Sequence, residues 1–282
     1  PRGAWATRGA AEAGFDSAKL AAAVELAQQK TVAEPQDLGA VILQHYSARE
    51  PGYRVLGPTG MRAGGSGLIV RGGYVVAEWG DVDRPEMVFS VAKSLLATVA
   101  GVAFADGRIA GLDDRVARYV SGPHFTGDHN GAITWRHLLE QTSDWRGILW
   151  DTPDWADRPT GTTLQEWQNP PQVTPGTVHE YNDVRVNLLA LSLLNVLREP
   201  LPRVLRERVM DPIGASSTWR WYGYENSWVE LDGERMQSVS GGGHFGGGLF
   251  ISTADLARFG LLMEREGRWG KTVVVRSDWI RA

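Results

Sequence analysis

The sequence contains no cysteine. Disulfides, thiol nucleophiles and cysteine-ligated zinc are therefore excluded, but the compartment is not fixed, because exported chains can also lack Cys. No apolar run approaches the ~20 residues that cross a bilayer as a helix. Charge of one sign is not in excess: 29 Lys and Arg stand against 33 Asp and Glu, for a net charge of −4. That balance supports neither a nucleic-acid groove nor a polybasic membrane patch. The six histidines form no H-E-x-x-H pattern and no close acidic cluster along the chain, so neither a metal nor a cofactor is expected. Internal repeats and low-complexity tracts are missing too.

What is present is an ordinary globular composition, 43% hydrophobic and 22% charged over 282 residues. It is enough for one large domain or two intimate subdomains. Twelve tryptophans are many. Packing in the core and between subdomains is the first expectation, and rings lining a cleft are the alternative, with Trp145, Trp150 and Trp155 clustered in one loop-like stretch and Trp219 and Trp221 alternating. The chain begins at Pro1 and shows no signal peptide, so its start reads as trimmed. Periplasmic, secreted and cytoplasmic locations stay open, as does the oligomeric state.

Along the chain, DSAKLAAAVELAQQK (16–30) reads as a helix capped by Asp16. GLIVRGGYVVAEWG (67–80) reads as a hairpin around Gly72-Gly73. A helix is expected from about Ser90 to Asp106, stopped by Gly107. LDDRVARYV and ITWRHLLEQT read as short helices, and 143–178 as a long ordered loop region. VRVNLLALSLLNVL (184–197) is a strong apolar helix, and LPRVLRERVMDPIG (201–214) an amphipathic one. SGGGHFGGGLFI (240–251) is glycine-dense and ends as a strand, followed by the helix STADLARFGLLMEREG with Ser252 or Thr253 as its cap. This order suggests a sheet-plus-helix domain interrupted by a helical insertion.

The chemistry concentrates in MVFSVAKSLLATVAG (87–101). On a helix, Ser90 and Lys93 share a face one turn apart. Ser90 falls on the first turn, where free N–H groups and the helix dipole favour negative charge. An amine against an apolar wall loses preference for its charged form and can take the serine proton, leaving a nucleophile. S-x-x-K alone is a weak pattern that a capping serine and a snorkelling lysine also satisfy.

The surrounding blocks add specificity. FSVAKSLLATVAGVAFADGRIAGLDDRVARYV, ITWRHLLEQTSDW, PGTVHEYNDVRVNLLAL, LREPLPRVLRERVMDPIGASSTWRW and GGGLFISTADLARFG follow one another over residues 65–282. In this order they resemble the penicillin-binding-protein-like serine hydrolases. That family includes class C β-lactamases, DD-peptidases, β-lactamase-like carboxylesterases and nylon-oligomer hydrolases. The resemblance implies an α+β, β-lactamase/transpeptidase-like fold: an antiparallel sheet flanked by helices, plus a mostly helical subdomain. Residues 1–115 and 205–282 would form the α/β part and 116–204 the helical part, with the cleft between them. It also implies that Ser90 is the acylated nucleophile, that Lys93 activates it, and that Tyr181 shuttles the proton to the leaving group.

Two departures from the family pattern stand out. Two residues after Tyr181 the family often has Asn, whereas this chain has Asp183. Either Asp183 faces the site and pairs with Lys93 as ammonium, shifting the base role toward Tyr181, or Asn182 supplies the amide and Asp183 faces away. The family's third element, Lys/His-Thr/Ser-Gly on a late strand, has no counterpart: Lys271-Thr272 is followed by Val273. The expectation is a chain that continues beyond Ala282.

Other patterns fall away. GRWGKT has Arg265 where a P-loop needs its first glycine, GGSGL breaks the nucleophile elbow at Leu68, and Ser143-Asp144-Trp145 departs from Ser-Asp-Asn. His244, amid glycines, is either a turn residue or a cleft group. The function expected is serine hydrolysis through an acyl-enzyme on the ester or amide bond of a small substrate. A true β-lactamase or DD-peptidase, or a non-catalytic ligand-binding relative, is the alternative.

Overall fold

The computed structural model describes residues 4–32 and 36–282. Its sheets are antiparallel and its helices pack beside them, an α+β architecture. The expected hairpin is present as Gly67–Arg71 against Tyr74–Trp79, and its turn puts Gly72 at φ 58° and Gly73 at φ 86°. Positive φ at both turn residues matches the right-handed twist of the strands, and glycine reaches it without a Cβ clash. A four-stranded sheet runs in the order Glu86–Met87, Gly248–Ile251, Arg220–Leu231, Glu234–Val239. Met87 pairs with Phe250, and Trp221 with Leu249.

The helix Ala92–Ala105 is sheathed almost all round, with Leu95, Leu96 and Val99 fully buried. It packs on the helices Asp183–Leu197 and Leu201–Leu205. Burial on most sides explains why neither long apolar helix shows a clear polar stripe. Each fully buried Leu here contributes about 1.5–3 kcal/mol of transfer free energy. The same core takes in Trp135, Trp145 and Trp219. Trp145 is 1% exposed and its indole N–H donates to the His124 carbonyl at 2.7 Å, so it is core rather than cleft wall.

Caps act where the sequence placed them. Asp16 accepts from the N–H groups of Ala18 and Lys19 ahead of Ser17–Gln29, and Ser252 accepts from Asp255 N–H ahead of Thr253–Glu264. Other elements differ from expectation. The helix expected at Ser90 begins as a 3₁₀ turn, Phe89–Val91, before the α-helix. LDDRVARYV is reduced to the 3₁₀ turn Val116–Arg118, and 201–214 changes after Leu205 into a π-turn at Arg206–Met210. The helix Leu38–Ser47 was not expected, although Asp37 caps it by accepting from Ala40 N–H. The region 143–178 is mostly irregular, with a short helix at Leu164–Gln168. Among the described residues no helix is long and apolar enough to cross a membrane.

Candidate active site

Strand Glu86–Met87 delivers the chain to the site. Val88 N–H donates to the Leu249 carbonyl at 3.0 Å, which fixes the end of the strand on the sheet. Phe89 then turns with φ 46°, a left-handed conformation unusual for a non-glycine residue that costs about 1–3 kcal/mol. Ser90 follows, exposed at the head of the helix, and Lys93 stands one turn on.

Four side chains converge. The Tyr181 and Ser90 hydroxyl oxygens are 2.5 Å apart. Lys93 Nζ is 3.1 Å from Ser90 Oγ, 2.6 Å from Asp183 Oδ1, and 4.7 Å from the centre of the Tyr181 ring. Of the two arrangements open at this position, the one present has Asp183 facing the site. The lysine side chain is largely buried, and its amine lies in an ion pair with the Asp183 carboxylate rather than against an apolar wall alone. Asp183 is the first residue of its helix, where the dipole favours an anion, and it is 1% exposed.

The choice between Asn182 and Asp183 is resolved by the helix start. Asn182 is the cap: its side-chain oxygen accepts from Arg185 N–H at 3.0 Å, and its amide donates to the Asp154 carbonyl at 2.7 Å. Both ends of its amide are thus committed away from Ser90, so Asn182 does not serve as a substrate-facing group.

His244 is neither a simple turn residue nor a cleft group. Its side chain is fully buried, with Nε2 2.7 Å from Glu50 Oε2 and 3.5 Å from Asp157 Oδ1. It reaches the site through its backbone, whose N–H donates to Asp183 Oδ2 at 3.2 Å. Asp183 N–H in turn donates to the Asp157 carboxylate. Burial pushes the Asp157 carboxyl up to about 6, against the pull of His244. Burial likewise raises the phenols of Tyr46 and Tyr53, which pack against His244.

The glycine run makes this closeness possible. Leu56 N–H and Gly57 N–H both donate to the Phe245 carbonyl, at 2.7 and 3.1 Å, and Gly247 N–H donates to the Pro58 carbonyl at 2.8 Å. A Cβ at Gly57 would stand 2.5 Å from Gly247 N. Glu50, Asp157 and His244 bring one ligand-type atom each within 4.8 Å of one another. The Arg158 guanidinium already supplies positive charge to that cluster, donating to Asp157 and standing 3.2 Å from His244 Nδ1. Metal ligation is therefore a poor fit. Glu50, Asp157 and Arg158 carry no local sequence signal. Only the glycine run, with His244 in it, marked this region.

In comparisons with known proteins, the family model described as Beta-lactamase matches residues 57–281. No curated protein matches by sequence. Among solved structures, the chain is similar to a Bacillus anthracis protein described as a 6-aminohexanoate-dimer hydrolase. The TM-score is 0.58 and the identity 17%, over 77% of this chain and 58% of that one. It is also similar to a Bacteroides dorei protein described as a beta-lactamase, with TM-score 0.55 and 22% identity over 86% of this chain and 67% of that one. A third is EstCE1, a hydrolase with promiscuous acyltransferase activity, with TM-score 0.52 and 18% identity over 86% and 74%. The chain thus spans less than two thirds of the length of the first of these.

Proposed function

The chain belongs to the beta-lactamase family, and from that premise we propose that it is a serine hydrolase acting through an acyl-enzyme on an ester or amide bond of a small substrate. One observation carries the reading: the exposed Ser90 Oγ lies between Tyr181 Oη at 2.5 Å and Lys93 Nζ at 3.1 Å. A serine needs an adjacent proton acceptor to become a nucleophile, and it needs positive charge nearby as negative charge builds.

In the proposed sequence, Ser90 Oγ bonds to the carbonyl carbon and its proton passes to Tyr181 Oη as the phenol's own proton passes on to the leaving oxygen or nitrogen. The carbonyl–leaving group bond then breaks, and Tyr181 is a phenol before and after the relay. Lys93, paired with Asp183, holds positive charge beside Ser90 Oγ and over the Tyr181 ring. The Ser90 N–H, at the head of its helix, supplies one donor to the developing oxyanion. Water then enters by the reverse relay and releases the acid. Hydrolysis through acyl transfer is also in keeping with the descriptions of two structural neighbours, a 6-aminohexanoate-dimer hydrolase and a hydrolase with promiscuous acyltransferase activity.

The test is labelling with a fluorophosphonate, followed by peptide mapping in the mass spectrometer. The adduct should lie on the peptide that contains Ser90 and vanish in Ser90→Ala. Labelling that survives Ser90→Ala unchanged sinks the assignment.

A further inference from the structure

Behind the Lys93–Asp183 pair lies a second layer of charge. Glu50, Asp157 and His244 are 4%, 2% and 2% exposed, and none of them reaches Ser90 directly. The His244 ring is held on every side. Arg158 Nη2 stands 3.2 Å from Nδ1. An arginine only donates, so Nδ1 is the acceptor there. The ring hydrogen is therefore on Nε2 and goes to Glu50 Oε2 at 2.7 Å, a tautomer assigned from its partners. The Tyr46 ring lies 3.9 Å from the imidazole, centre to centre, and the Tyr53 hydroxyl donates to the His244 carbonyl.

The segment around this ring has little stiffness of its own. From Gly241 to Gly248 only His244 and Phe245 carry side chains, and Gly243, Gly246, Gly247 and Gly248 all have positive φ. A glycine-rich backbone loses more freedom on ordering than any other, so an anchor is needed to hold it in one place. That backbone presents His244 N–H to Asp183 Oδ2, while Asp157 accepts the Asp183 N–H. Both the carboxylate and the main chain of Asp183 are thus tied to the layer that holds the imidazole.

We propose that His244 is a positioning residue: clamped between Glu50, Asp157 and Arg158, it keeps its own backbone N–H on the Asp183 carboxylate and so fixes Lys93 beside Ser90. The inference rests on the hydrolase reading above. It concerns a group that touches neither substrate nor the reacting oxygen, and acts by holding the pair that does. Displacements of about 1 Å in such supports are enough to cost on the order of 100-fold in rate.

The experiment compares wild type with His244→Leu, His244→Gln and Glu50→Gln. Each is read by thermal melting, by kcat and KM for nitrophenyl acetate, and by the rate of Ser90 phosphonylation. In His244→Leu, kcat and phosphonylation should both fall by about 10- to 100-fold with little change in KM. His244→Gln, whose amide can still donate to Glu50, should recover part of the loss. Glu50→Gln keeps the partner's shape and should show a smaller fall of the same kind. Wild-type kcat in a folded His244→Leu would overturn the proposal, as would wild-type kcat in Glu50→Gln should His244→Leu fail to fold. Collapse of the melting transition in all three variants would also overturn it, assigning the cluster to folding alone. If Ser90 of the wild type takes no phosphonate, the hydrolase reading falls and this inference with it. If the wild type is labelled and the variants match it, only the positioning role is lost.

Discussion

Gly242 and Asp183 share a space that only one side chain can fill. A Cβ at Gly242 would stand 2.5 Å from Lys93 Nζ and closer still to Asp183 Oδ2. The glycine run therefore has a local reason at this position: the backbone must pass against the ion pair that flanks Ser90. Gly242 itself has no positive φ, so alanine is allowed by its backbone and excluded only by the neighbouring charges.

Gly242→Ala tests that closeness. The ion pair must shift or the loop must lift, and overpacking of this kind costs about 1–3 kcal/mol. Ester turnover should fall by roughly 100-fold, because the displaced group is Lys93. A variant with wild-type kcat would show that the pair tolerates displacement and that its position does not set the rate.

Lys93→Ala and Tyr181→Phe should each lower turnover of nitrophenyl acetate by about 100-fold or more, the range of positioned acid–base groups. The Tyr181→Phe change removes only the oxygen that lies 2.5 Å from Ser90 Oγ and leaves the ring beside the guanidinium of Arg158. Near-full activity in either variant removes that residue from the relay.

Asn182 and Asp183 should separate cleanly. Asn182→Ala deletes a helix cap and leaves the Asp154 carbonyl without its donor, so it should cost about 1–2 kcal/mol of stability with kcat largely kept. Asp183→Asn should leave the helix start intact and lower kcat, since it removes the carboxylate 2.6 Å from Lys93. Urea melts and ester kinetics on the two variants check this, and an exchange of the two phenotypes would reverse the assignment of the residues.

How far the sequence reached can be judged at particular residues. Ser90 and Lys93 were legible from their spacing together with the ordered blocks that follow, since S-x-x-K alone is a weak pattern, and Tyr181 from the block that carries it; the structure brings the three together. The orientation of Asn182 against Asp183 was not, since a one-residue shift in the helix start exchanges their roles. The long hairpin Arg220–Leu231/Glu234–Val239 had a signal that went unread: Asp232-Gly233 forms its turn with φ of 54° and 80°. Glu50, Asp157 and Arg158 had none. Charged residues in irregular segments read as solvent-facing, and only the folded chain shows that Glu50 and Asp157 are closed in around an imidazole.

The buried layer also has a consequence for stability against pH. Burial raises the Asp157 carboxyl from its ordinary 3.8 to about 6. The folded state therefore holds a proton between those values that the unfolded state has lost, and stability falls as pH rises through that window. The penalty is absent below the unfolded value and complete above about 6, where it amounts to at most roughly 3 kcal/mol. Asp157→Asn imitates the protonated acid and cannot ionise. Its stability relative to wild type should therefore climb between about pH 4 and pH 6 and level off above, as read from urea unfolding of both proteins at a series of pH values. Groups remote from Asp157 titrate alike in the two chains, whereas Asp183 and His244 feel its charge, so the difference reads the cluster around Asp157. A difference that stays flat, or that falls as pH rises, would mean that attraction to Arg158 and His244 outweighs desolvation at Asp157.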